Sequence, residues 1–281
     1  MRPKGRVSLA ALAALAVAAA GCGNDEDVSS ARAHQPKLNP SNFGNPATAK
    51  NRYFPLTPGY QSVRLGKVNR GNRRLEHRRV FSVSDVYKTI NGIRSVAVLD
   101  QDFDGGQVGE QAIDFLAADE SGNIWSLGSY TEAYEGGRFV NANDGWLTGI
   151  KGAKPGVLLP ANVTAGGPAF IQEDQPGDDP STAKVVRAGV RTCVPFKCFN
   201  DTIVVEEDGS ENKSFAPGVG GIKTEPKGGG GEEETEELIN LRTLSATGLR
   251  EISTEVLKLD QHARSTVADV YGRSKAATRR P

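Results

Sequence analysis

The residues whose spacing speaks most directly of chemistry are Asp100, Asp102 and Asp104, alternate acids followed by Gly105. In a calcium loop, oxygens at positions 1, 3 and 5 converge on the ion and a glycine permits the turn. Ca²⁺ bound by these three carboxylates is therefore the only cofactor the sequence raises. The position of the closing bidentate Glu holds Gln111, with Glu110 one place early. The alternative reading is an acidic hairpin turn. Cysteine supplies a second chemistry. Cys22 follows Ala19-Ala20-Gly21, small residues like those before the acylated cysteine of bacterial lipoproteins, with Ala19 where Leu is usual; the alternatives are an ordinary secretory signal with a chance Cys and a lone N-terminal transmembrane anchor. Setting Cys22 aside leaves Cys193 and Cys198, an even remainder that suits a disulfide in an oxidising compartment. Two free thiols, or half of a metal site, are the alternatives.

Arg70, Arg73, Arg74, Arg78 and Arg79 crowd around Gly71-Asn72. On a hairpin tip they would meet anionic headgroups or an anionic wall polymer; the alternative is a solvated, charge-balanced tip. Trp125, Tyr130, Tyr134 and Trp146 would line a sugar or lipid cleft, or else pair within the core. Catalytic signatures are missing: no G-x-S-x-G, no H-E-x-x-H, no Walker loop and no dinucleotide fingerprint. Lys+Arg and Asp+Glu each number 34, so the chain lacks the basic excess of a general nucleic-acid binder.

The elements that must position these groups read as strands. Residues 1–21 form a lipoprotein signal peptide, with Arg2, Lys4 and Arg6 ahead of the uncharged run Val7 to Ala20. Residues 22–50 form a flexible tether rich in small and polar residues, with no folding expected before Arg52. Residues 51–226 alternate short apolar runs with glycine turns, among them Asn91-Gly92 and Gly136-Gly137, which predicts an antiparallel β domain. Pro160 to Pro180 reads as an exposed loop. Residues 227–237 form a Gly-rich and acidic linker. Residues 238–272 hold a terminal strand and an amphipathic helix, about Leu249 to Tyr271, capped by Ser245 or Thr247. Residues 273–281 form a basic, frayed tail.

Four short strings carry a resemblance. Asn51-Arg52-Tyr53-Phe54-Pro55-Leu56-Thr57-Pro58-Gly59 resembles the "NPYFPL-x-PG" opening of a group of uncharacterised bacterial secreted and lipid-anchored proteins. Ala216-Pro217-Gly218-Val219-Gly220 resembles that group's "YAPGVGLV" signature. Asp119 to Trp125 is similar to its "D-x-x-GNVWY" hairpin, and Lys154-Pro155-Gly156 with Leu159-Pro160 to its "AKPGIIMPA" stretch. The resemblance covers residues 51–224. Arg52 stands where Pro is usual, and Gly221 replaces a Leu. What the resemblance implies is an architecture and an address, without a chemistry.

Together these features predict a mainly β protein, an antiparallel curved sheet or half-barrel with one C-terminal helix. The expected function is a lipid-anchored extracytoplasmic binding or envelope-interaction module without catalytic activity. It would sit in the bacterial cell envelope, facing the extracytoplasmic side. Its partners would be the membrane, through N-terminal acyl chains, and an envelope ligand or protein, but no nucleic acid. The alternative is an envelope hydrolase working through paired carboxylates.

Overall fold

Successive residues of a strand face opposite sides of its sheet, and the described chain is mainly strand. The computed structural model describes residue 33 and residues 37–46, 50–228 and 234–279. The signal peptide, Cys22, most of the tether and residues 229–233 of the linker lie outside the described residues. Thirteen strands follow: β1 Tyr60–Arg70, β2 Arg73–Ile90, β3 Ile93–Asp104, β4 Gln107–Ala118, β5 Ile124–Glu135, β6 Arg138–Leu147, β7 Gly156–Leu159, β8 Phe170–Glu173, β9 Ser181–Val194, β10 Lys197–Glu207, β11 Glu211–Ala216, β12 Gly220–Pro226 and β13 Glu234–Thr243. Asn91 and Gly92 both have positive φ, 48° and 80°, as the tight β2–β3 hairpin demands.

The mainly β expectation holds. One antiparallel sheet runs in the order β6-β5-β4-β3-β2-β1-β13-β12-β11-β10-β9-β8, with β7 paired to β5. It consists of two meanders, β1–β6 and β8–β13, joined where the first strand pairs with the last. The sheet curls, because Val96, Val98 and Leu116 of the first meander share an apolar cluster with Val185, Ile203, Val205 and Phe215 of the second. It does not close into a barrel. Beside β7 and β8 an isolated backbone bridge joins Lys154 to Asp174, and the Gln172 side chain of β8 donates to the Leu158 carbonyl of β7 at 3.0 Å.

Helix α1, Ala246–Thr266, covers the outer face. Ser245 caps it by accepting from the Gly248 N–H at 3.2 Å. Val256, Leu259 and Ala263 meet Ile113, Phe115 and Leu127 of the sheet. Trp125, Tyr130 and Trp146 are buried, so the core alternative describes them. Among the described residues no helix is long and apolar enough to cross a membrane.

Four sequence expectations need correction. The tether is ordered in part: Phe43 bridges to Asp119 and packs edge-on against Trp125, ring centroids 5.8 Å apart. The acidic run is strand rather than linker from Glu234 onward, because it pairs with both β1 and β12. The Pro160–Pro180 stretch contains β8. The tail is docked: β1 pairs with β2 only as far as Ser82, so the Tyr87 edge beyond it is open, and there Tyr87 exchanges backbone hydrogen bonds with Thr278 at 2.8 and 2.9 Å.

Candidate functional site

The polar cluster with the most buried charge straddles the seam between the meanders. Directly opposed residues on neighbouring strands share a face. One row across the sheet therefore reads Asp104 (β3), His77 (β2), Gly66 (β1), Glu236 (β13) and Thr224 (β12). Gly66 has no side chain, so His77 and Glu236 reach toward each other over the intervening strand. A row farther along aligns Asp102, Arg79 and Arg64.

His77 is fully buried. Its Nδ1 lies 2.7 Å from Asp104 Oδ1, and a carboxylate only accepts, so Nδ1 donates. The other Asp104 oxygen pairs with Arg70 Nε at 2.8 Å. His77 Nε2 faces Glu234 Oε1 at 3.3 Å, Glu236 Oε1 at 3.4 Å and Asp102 Oδ1 at 3.9 Å. None of these approaches has hydrogen-bond geometry: Nε2, Asp102 Oδ1 and Glu236 Oε1 are buried polar atoms without a hydrogen-bonding partner. Arg64 Nε holds Glu236 Oε2 at 2.8 Å. Arg79 donates to Asp100 through Nη2 at 2.6 Å and Nε at 3.0 Å, and its Nη1 stands 3.5 Å from Glu236 Oε1.

The electrostatics follow from that crowding. Burial pulls the His77 imidazole down, but Asp104, Glu234 and Glu236 outweigh it and push its pKa up to about 12. Burial pushes Asp102 up, Arg79 opposes, and Asp100, Glu236 and Glu234 add to the rise, to about 8. Glu236 is also pushed up by burial, yet Arg64, Arg79 and His77 hold it well below the usual carboxylate range. Among the described residues, Asp100, Asp102, Asp104, Glu110, Glu234 and Glu236 face Arg64, Arg70, Arg79 and His77. Negative groups outnumber positive ones, so the arrangement suits a proton or a cation better than an anion.

The structure places Asp100, Asp102 and Asp104 along one face of β3, rather than folded into the loop of a calcium site. Asp100 is committed to Arg79 and Asp104 to His77 and Arg70, and Asp102 Oδ1 lies between Arg79 Nε at 3.6 Å and His77 Nε2 at 3.9 Å. The arginine surface is corrected as well. Arg79 is an interior ion-pair partner, Arg70 is held by Asp104, and Arg78 stacks on Phe103 with its guanidinium 4.1 Å from the ring centre. Arg73 and Arg74 remain exposed at the β1–β2 tip. Cys193 and Cys198 form a disulfide across the β9–β10 hairpin.

Sequence reasoning missed His77, Glu234 and Glu236. The alternation Glu234-x-Glu236-x-Leu238 is a strand signal, but acids are depleted in strands and the run reads as solvated. A smaller cluster lies under α1. Tyr130 and Tyr134 both donate to buried Glu132, and His262 Nδ1 contacts Glu132 Oε1 at 2.6 Å.

The four resemblance strings converge at one end of the sheet. The Asn51 side chain donates to the Gly122 and Pro160 carbonyls at 2.9 and 3.3 Å, and the Gly218 N–H donates to the Arg52 carbonyl at 2.7 Å. They act as structural punctuation there. No known protein family, curated protein or solved structure matches the chain.

Proposed function

We propose that this is a lipid-anchored extracytoplasmic protein of the bacterial envelope, a binding or interaction module without catalytic activity, related to the secreted and lipid-anchored proteins whose four strings it resembles. The Cys193–Cys198 disulfide carries the reading, since such a bond persists outside the reducing cytosol. It agrees with the basic start, uncharged run and small residues ahead of Cys22. Each buried CH₂ of an acyl chain contributes about 0.8 kcal/mol, so several chains hold a domain firmly on a bilayer.

The test is expression of the full chain in a bacterium, followed by detergent phase partitioning and intact-mass analysis. The expected product begins at Cys22, carries fatty-acyl mass and enters the detergent phase, whereas Cys22→Ser yields an unacylated protein. A full-length, unacylated product in the cytosol overturns the proposal.

A further inference from the structure

We propose that His77 Nε2, Glu236 Oε1 and Glu234 Oε1 form a binding site for one divalent first-row transition ion of the Mn²⁺-to-Zn²⁺ series. Three independent observations support it. The first is distance. His77 Nε2 stands 3.3 and 3.4 Å from the two glutamate oxygens and 3.9 Å from Asp102. Hydrogen-bonded N–H···O atoms sit closer, at about 2.7–3.2 Å. Ligands bound at ~2.1 Å to a shared tetrahedral ion lie about 3.4 Å apart. The donor atoms of His77, Glu234 and Glu236 all fall within 4.8 Å of one another.

The second is burial without satisfaction. The His77 and Glu236 side chains have no exposed surface, and yet Nε2 and Oε1 lack hydrogen-bonding partners. A buried polar atom in that condition is costly, and Nε2 and Oε1 face each other across a gap that a cation would fill, with Arg79 no nearer than 3.5 Å to Oε1.

The third is the outer shell. A metal-bound histidine ordinarily donates its remote N–H to a carboxylate, as His77 does to Asp104, which Arg70 fixes in turn. Arg64 occupies the second oxygen of Glu236, while Oε1 lies 3.4 Å from His77 Nε2 and 3.5 Å from Arg79 Nη1. One imidazole with two carboxylates suits manganese, iron or zinc, whereas calcium takes oxygen ligands throughout. The site stands whether or not Cys22 is acylated.

The full chain, stripped with EDTA, is titrated with MnCl₂, ZnCl₂ and CaCl₂ by calorimetry, with Mn²⁺ spectra and thermal melting alongside. One equivalent of Mn²⁺ or Zn²⁺ is expected to bind and to raise the melting temperature. Glu234→Gln, which keeps the shape of the least buried ligand, is expected to weaken binding at least tenfold. It should melt normally without metal. Asp104→Asn, a change in a positioning residue, is expected to cost 10–100-fold in affinity, and nitrogen NMR of His77 is expected to report metal on Nε2. No saturable uptake, uptake indifferent to both substitutions, or binding of Ca²⁺ alone overturns the proposal.

Discussion

Lys88 shows how one charge can be kept with no exposed side-chain surface. Its Nζ donates to Asp260 Oδ1 and to the Lys275 carbonyl, each at 2.7 Å, and lies 5.2 and 5.6 Å from the Tyr271 and Phe115 ring centres. Asp260 also accepts from the Ala277 N–H at 2.9 Å. Burial pulls the Lys88 pKa down and Asp260 opposes it. Removing one member of such a pair strands the other, which costs roughly 3–5 kcal/mol. Lys88→Met is therefore expected to destabilise by about that much in denaturant unfolding. The double variant Lys88→Met/Asp260→Leu should recover most of the loss, though not all, because Ala277 N–H and Lys275 O lose their partners. Equal destabilisation of single and double variants would contradict a buried ion pair.

At the level of the element, β1 is constrained by its two neighbours. A Cβ on Gly66 would lie 1.6 Å from the Thr235 carbonyl oxygen, inside backbone that cannot step aside. Gly66→Ala is expected to destabilise by about 1–3 kcal/mol, while Gly44→Ala, where nothing lies within 4 Å, should leave the unfolding midpoint unchanged. An unaltered Gly66→Ala midpoint would mean that β1 and β13 do not pair in this register. Much of the element pattern was legible. Alternation located β1 to β6, β9, β10 and β12, and the helical spacing of Leu249, Ile252, Val256 and Leu259 located α1. Strands β7 and β8, four residues each, are too short to show a period. In β11 Glu-Asn-Lys-Ser comes ahead of Phe215, so polarity hides the strand. The ligands of the candidate ion site were not legible: His77, Glu234 and Glu236 become neighbours through the β1–β13 pairing, which no local signal announces.

Across the whole molecule, acid in excess of base lines the curl of the sheet well beyond the seam. Burial and the nearby Asp114 and Glu207 charges push Glu173 up to about 8, against Ser126 and Lys213. Burial and Asp100 push Asp114 up to about 6, against Ser129 and Arg79. Between the ordinary carboxylate range and these values, the folded chain binds more protons than the unfolded one. Stability from these groups is thus present at mildly acidic pH and is lost as pH rises toward 8. Unfolding free energy measured from pH 5 to 8 is expected to fall along that limb, and Glu173→Gln to flatten it and to exceed the parent at pH 8. A variant that tracks the parent at every pH would place Glu173 outside the acid-rich interior.

The seam has a consequence for how the chain comes into being. Each meander can zip locally, hairpin by hairpin, but the strand that unites them is the last to be made. Until Thr243 has emerged, β1 presents a bare hydrogen-bonding edge more than half a chain away from its mate. A nascent polypeptide cut short before that point would hold two half-sheets, each with an open border inviting a stranger's strand.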